Sequence, residues 1–312
     1  DRKSRMSEIN PASATTDSAA SALAAPEKQV AELLRLLDVE KTGDAQFCGI
    51  RKPGGIGRVF GGQVVAQALA SAIQTVDPKR QVHSLHAYFM RPGSEDHAIE
   101  FRVEADFDGG SFSNRRVAAM QMGKTILNLV ASFHIEETGF THQAEMPDVP
   151  QPEECITFEQ YFAEHKQDIL GFLRQLASRP SPFDRRVIGV PPFFQTHPIN
   201  EMQSFWFRTR APVTCNQSKH RTILTYLSDV SILNAAVRRH GQPHLQTASL
   251  DHSVWFHNDV RADDWLLYTT DSPWAGQARG FGRGTIFDRA GRLVASVAQE
   301  GLIRPTSDSK NA

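Results

Sequence analysis

Residues Leu224–Gly241 read Leu-Thr-Tyr-Leu-Ser-Asp-Val-Ser-Ile-Leu-Asn-Ala-Ala-Val-Arg-Arg-His-Gly and place a carboxylate at the expected start of a buried helix. Ser228 or Asp229 fits an N-cap, and Val230, Leu233, Ala236 and Val237 recur at helical spacing. Arg238 and Arg239 suit the last turn and Gly241 the stop. The spacing therefore predicts a helix that opens at Asp229. Two readings of that acid stand side by side: a cap worth ~1 kcal/mol to its own helix, or an acid presented for chemistry.

Strand patterns surround this segment. Gln203–Arg210 precedes it, and Gln246–His257, Trp265–Asp271, Gln277–Asp288 and Arg292–Arg304 follow. The first half has the same order. A short amphipathic helix at Val30–Leu37 and a strand at Ala45–Arg51 lead to Gln63–Val76, which is apolar around its whole circumference and is read as a buried helix. Strands at Val82–Met90, Ile99–Asp106, Arg115–Met122 and Thr125–Ile135 come next, with turns at Asp108-Gly109-Gly110 and Met122-Gly123-Lys124. His83-Ser84-Leu85-His86 matches Ala248-Ser249-Leu250-Asp251, and Val130-Ala131-Ser132-Phe133 matches Val294-Ala295-Ser296-Val297, both offset by about 165 positions. That offset is the mark of an internal duplication.

The expected fold is α+β. Each repeat has a long central helix wrapped by an antiparallel sheet, and the two sheets join across their edge strands, which also hides those edges. The expected divisions are a disordered segment over 1–27, an N-terminal half over 28–145, a linker over 146–200, a C-terminal half over 201–305 and a tail over 306–312. In the linker, Met146–Pro152 reads as an extended connector and Phe158–Leu176 as a helical insertion, before Pro180, Pro182, Pro191 and Pro192 keep the backbone irregular.

Thirty-four basic residues against 35 acidic ones leave a net charge of −1, so charge provides no argument for nucleic acid or an anionic membrane. Cys48, Cys155 and Cys215 are far apart, which argues against a disulfide framework or a structural zinc site and for a reducing compartment. No apolar run reaches the ~18 residues of a membrane span. The glycines of Gly54-Gly55-Ile56-Gly57 invite a dinucleotide reading, but the third glycine of that fingerprint and a leading hydrophobic strand are missing. A turn that brings backbone close to a partner at a helix N-terminus is the better reading, which makes Gly61 and Gly62 candidates for substrate contact.

Three segments carry a resemblance to a known family. Phe60-Gly61-Gly62-Gln63-Val64-Val65-Ala66-Gln67-Ala68, His83–Gly93 and Leu250-Asp251-His252-Ser253-Val254-Trp255-Phe256-His257 resemble the type II acyl-CoA thioesterases, TesB-like enzymes of the double-hotdog class. Val294-Ala295-Ser296 and Gln299-Glu300-Gly301 do as well, and the resemblance extends from about Val30 to Arg304. It implies hydrolysis of acyl-CoA to free acid and CoA, with no cofactor, and association into a homo-oligomer. It also implies a catalytic set of an Asp at the start of the second central helix, a hydroxyl before the Leu-Asp-His segment and a Gln in the last strand. Here these are Asp229, Ser249 and Gln299.

The residues suit that chemistry. A carboxylate accepts a proton from water, while an amide and a hydroxyl hold the water for direct attack on the thioester. Backbone N–H groups at a helix N-terminus, from Asp229's own helix or from Gly61-Gly62, would stabilise the oxyanion. Strand alternation puts Gln299 on the apolar face of Leu293, Ala295, Val297, Gly301 and Ile303, where a polar side chain must find partners. The same rule puts Ser249 on the face of Asp251 and Ser253. His86 and His252 read as hydrogen-bonded structural or pocket residues, with His86 a further substrate-contact candidate. No G-x-S-x-G elbow supports a serine triad and no H-E-x-x-H supports a metal. The competing functions are a non-catalytic acyl-CoA-binding module and an enoyl-CoA hydratase, whose short Asp/His motif is missing. The expected location is the cytoplasm, or the peroxisome in a eukaryote, although the final residues Asp308–Ala312 are not the Ser-Lys-Leu peroxisomal address.

Overall fold

The computed structural model describes residues 26–51, 57–165, 179–191, 194–195, 197–240 and 245–306. The expectations for 1–25, Gly54–Ile56, the later part of the helical insertion, Gly241 and the tail beyond 306 lie outside these residues.

The first half opens with α1 (Pro26–Leu37) and the hairpin β1 (Val39–Gly43) and β2 (Gln46–Gly49). The central helix α2 (Gly61–Ile73) follows, and then β3 (Gln81–Phe89), β4 (Ile99–Asp108), β5 (Phe112–Gln121) and β6 (Lys124–His134). Helix α2 is buried on all sides from Gly62 to Leu69, as its mostly apolar sequence requires, and the buried Gln67 amide is satisfied by donating to the Leu36 carbonyl at 2.7 Å. A short helix, α3 (Phe158–His165), precedes an edge strand, β7 (Phe183–Val187). The span read as linker thus contributes a strand, because β7 pairs antiparallel with β8 (Gln203–Thr209).

The second half differs from expectation at its helix. Helix α4 runs from Gln217 to Ser228, and Asp229 is its C-cap rather than its N-cap. The start is fixed by Asn216, whose side chain accepts the Lys219 N–H. Polar residues disguise this helix: His220, Arg221, Thr222 and Thr225 are all buried. The two threonines are satisfied locally, donating back to the Ser218 and Arg221 carbonyls at 2.8 Å. His220 Nδ1 accepts the Ala262 N–H from across the fold, while His220 Nε2 and Arg221 Nε have no partner among the described residues. After Asp229 the chain turns through Ser231, at φ 71°, into a single helical turn, α5 (Asn234–Val237). The apolar spacing of Val230–Val237 therefore belongs to a turn and a short helix packed on the sheet. Gly282 permits that approach, because a Cβ there would lie 2.5 Å from the Ile232 carbonyl oxygen.

Strands β9 (Leu245–Ser249), β10 (Asp251–Phe256), β11 (Leu266–Gly276), β12 (Arg279–Asp288) and β13 (Leu293–Pro305) complete the chain. All pairings are antiparallel, in the order β1-β2-β4-β5-β6-β3-β10-β13-β12-β11-β8-β7, with β9 on β13. The two repeats meet at β3 and β10, where Leu85 faces Val254 and Ala87 faces His252. One apolar core runs through both, from Val65 and Leu69 of α2 to Ile223 and Leu227 of α4. Arg221 braces the junction by donating to the Val82 carbonyl at 2.8 Å and to Asp259 at 3.2 Å. The connector packs on the outer face, where the Trp206 indole donates to the Pro150 carbonyl. Among the described residues no helix is long and apolar enough to cross a membrane.

Candidate active site

Asp229 lies where the C-terminal end of α4 comes beside the N-terminal end of α2, two helices that pack against each other. One carboxylate oxygen, Oδ2, accepts the Gly62 N–H at 2.8 Å. Helix α2 needs this bond, since its own N-cap, Phe60, offers no side-chain acceptor. A carboxylate beside the positive end of a helix is also favoured by the helix dipole. The capping role read for Asp229 is thus exercised on the helix of the other repeat. The approach depends on two glycines: a Cβ at Gly61 would stand 2.8 Å from Asp229 Oδ2, and one at Gly62 would stand 2.3 Å from the Tyr226 carbonyl oxygen.

The second oxygen, Oδ1, is buried without a hydrogen-bond partner among the described residues, 4.0 Å from His252 Nδ1. His252 is fully buried and its ring nitrogens meet two groups. Its Nδ1 is 2.5 Å from Gln299 Oε1 and its Nε2 is 2.8 Å from Ser228 Oγ. The Gln299 amide in turn donates to Ser249 Oγ at 2.9 Å. Asp229, Gln299 and Ser249 are therefore brought together through a histidine. The sequence alone places His252 as a structural or pocket residue; the signal for more is an ionisable side chain alternating with the apolar residues Val254 and Phe256.

Gln299 faces inward with Val297, Gly301 and Ile303, as alternation implies. Leu293 does not share that face. A register shift opposite Ile286 and Phe287 turns it to the outer cluster beside Trp265 and Leu267. A bulge also reverses the reading of Ser249. Ser249 pairs with Gly301 and Ser253 with Ala298, so four steps on one strand span three on the other. The extra residue brings Ser249 to the inner side with His252, away from the face of Asp251 and Ser253. Asp251 takes up the Glu300 N–H that the bulge leaves free, at 2.6 Å, and burial pushes the Asp251 carboxyl above its ordinary range.

Two tyrosines close the site. Tyr268 is fully buried and donates to the Ser228 carbonyl at 2.8 Å. Burial first, and then the negative charge of Asp229, pushes its phenol well above the usual value. The same causes hold Tyr226 at about 12. The Tyr226 ring meets Phe60 edge-on at 5.1 Å, and Phe89 reaches to within 3.0 Å of a Cβ at Gly61, so the wall beside the carboxylate is aromatic. His86 lies apart from all of this. It is exposed on the outer face, bonded to Ser253 Oγ and edge-on to Trp255. The expected oxyanion donors also change. Asp229 sits at the C-terminal end of its helix, where N–H groups are already used, and the Gly62 N–H is engaged by Asp229 itself.

The comparisons with known proteins agree with this architecture. A family model described as acyl-CoA thioesterase matches residues 179–302, and one described as acyl-CoA thioesterase N-terminal domain matches 51–134. The chain is 39% identical to acyl-coenzyme A thioesterase 8 of Mus musculus, over 79% of this chain and 80% of that one. It is 36% identical to acyl-CoA thioesterase 2 of Haemophilus influenzae, over 87% and 96% respectively. Among solved structures, the acyl-CoA thioesterase II TesB2 of Mycobacterium marinum superposes with a TM-score of 0.71 at 37% identity, covering 88% of this chain and 98% of that one. With two hotdog repeats sharing one sheet and matches of this extent on both, the chain belongs to the type II acyl-CoA thioesterases.

Proposed function

We propose that this acyl-CoA thioesterase hydrolyses its substrate by direct attack of water, with Asp229 as the general base and Gln299 and Ser249 holding the water. The observation that carries this reading is the asymmetry of the Asp229 carboxylate. Oδ2 is anchored on Gly62, while Oδ1 is buried and unpartnered, on the side of the His252–Gln299–Ser249 chain. An oxygen without a hydrogen bond, in an enclosed setting, is the acceptor that a proton from water would fill.

Water attacks the thioester carbonyl carbon and passes a proton to Asp229 Oδ1. The C–O bond forms as the carbonyl electrons move onto oxygen. The tetrahedral adduct then collapses, the C–S bond breaks, and the CoA thiolate leaves with the proton that Asp229 returns. Gln299 and Ser249 act by position, since a water held for in-line attack avoids most of the entropic cost of a bimolecular step.

The test is a thiol-release assay over a series of acyl-CoA chain lengths. Asp229→Asn is expected to lower kcat by at least ~10²-fold, the worth of a general base, in a protein that remains folded. Turnover at the wild-type level would return Asp229 to a purely structural cap. Saturable acyl-CoA binding without thiol release from the wild type would instead favour a binding module.

A further inference from the structure

The hydrogen bonds around His252 are over-determined, and counting their protons leads beyond the set of three. Thr225 stands in the last turn of α4. The N–H of Asp229, which would ordinarily close on its carbonyl, points at the Leu227 carbonyl instead. The Thr225 carbonyl takes the Ser228 hydroxyl at 2.9 Å in its place, and a carbonyl can only accept. The single Ser228 proton is thereby committed. His252 Nε2, 2.8 Å from the same Ser228 oxygen, must donate to it. On the other side of the ring, the Gln299 amide nitrogen donates to Ser249, which leaves Oε1 facing His252 Nδ1 at 2.5 Å. An amide oxygen also only accepts, so Nδ1 must donate as well.

We propose that His252 is a positioning residue held with a proton on each ring nitrogen. As an imidazolium it turns the Gln299 amide toward Ser249 and supplies the counter-charge for Asp229. This rests on the reading of Asp229, Ser249 and Gln299 as the reacting set and adds the group that orders them. A fully buried cation needs a partner, and the Asp229 carboxylate lies 4.0 Å from Nδ1. The other groups packed around the ring are Ser228, with the neutral Tyr268 phenol behind it; Gln299 from β13; and Ala87, opposite on β3. Asp251, one residue back on the same strand, is a further nearby charge and is occupied by the Glu300 N–H, while the Glu300 carboxylate beside it is paired with Arg279. A neutral histidine would need either a second Ser228 proton or an inverted Gln299 amide, which would take the N–H donor away from Ser249.

The direct test is long-range 1H–15N correlation of the full chain labelled with 15N-histidine at neutral pH. The His252 signals are assigned by their loss in His252→Gln and, should that variant fold poorly, by their shift in Ser228→Ala. Two protonated ring nitrogens are expected, and one bare ring nitrogen overturns the proposal. In Asp229→Asn one of the two protons should be lost; its retention would refute the counter-charge role. By thiol release, His252→Gln is expected to lower kcat by about tenfold or more with KM changed less than about twofold; an unchanged kcat would also overturn the proposal. The outcomes separate the two readings. Wild-type turnover in Asp229→Asn with a doubly protonated His252 in the wild-type protein removes the base and leaves the ion pair. An inactive Asp229→Asn with a bare nitrogen on wild-type His252 does the reverse.

Discussion

Asp229 Oδ2 accepts the Gly62 N–H at 2.8 Å across 167 positions of sequence, and in doing so ties the C-terminal end of one central helix to the N-terminal end of the other. The carboxylate proposed for catalysis is therefore anchored by the repeat that does not contain it.

The anchor depends on the bare backbone of Gly62. In Gly62→Ala the new Cβ would meet the Tyr226 carbonyl oxygen at 2.3 Å, and backbone cannot swing aside as a side chain does. The helices must part, so the expected cost is about 1–3 kcal/mol of stability, typical of overpacking, together with a fall in kcat. Urea unfolding and thiol release measure the two, and wild-type values of both would count against the close contact.

Ser249 accepts from the Gln299 amide at 2.9 Å, and in the proposed mechanism its own proton goes to the reacting water. Ser249→Thr retains that hydroxyl and should keep kcat near wild type. Ser249→Ala should lose about tenfold, the equivalent of one hydrogen bond of ~1.4 kcal/mol in the transition state. Equal rates for the two variants would remove Ser249 from the mechanism.

Gln299 is buried and serves His252 and Ser249 at once. Gln299→Leu fits the space but leaves a ring N–H without an acceptor. A destabilisation of about 1–3 kcal/mol is expected for the unsatisfied group, measured by denaturant midpoint, along with loss of turnover. A variant as stable as wild type would mean that the network relaxes around the gap.

Tyr226 and Tyr268 make the alkaline limb of stability informative. Both phenols are raised above the ordinary value of 10.0, Tyr226 to about 12. For an acid whose folded value is raised, the folded chain keeps its proton while the unfolded chain releases it. The stabilisation is thus full below about pH 10 and falls as pH rises toward the folded values. The phenolate absorbance of these two residues should appear together with loss of the fold. Tyr226→Phe and Tyr268→Phe should each remove part of that late signal; an early, reversible rise lost in either variant would contradict the enclosure of that ring.

The start of α4 can be tested by Asn216→Ala. Its side chain accepts the Lys219 N–H at 3.1 Å, and its loss should cost ~1 kcal/mol. No change in thermal midpoint would mean that tertiary packing alone sets this boundary.

The parts of this molecule that follow a regular period were legible in the sequence. Helix α2 announced itself by being apolar all round, and Gln299 by its polarity on an apolar face. The parts that break a period were not. Helix α4 hides behind Thr222, Thr225 and Ser228, whose hydroxyls bond back into their own helix and so tolerate burial. Its end reads as a beginning in the sequence because a capping acid looks the same whether it serves its own helix or another's. A single bulged residue puts Ser249 on the face opposite to the one that alternation implies, since one insertion in a strand inverts the parity of all that precedes it. His252 could be seen to alternate inward, but its links to Ser228 and Gln299 are properties of tertiary contact.

With Asp229 as the proposed base, its bond to Gly62 makes turnover a gauge of how firmly the two repeats are seated. A separation of an ångström or two at the helix ends would release the carboxylate while every strand remained paired. On heating or in mild denaturant, inactivation should therefore run ahead of the loss of circular dichroism, with a sub-global opening that precedes global unfolding.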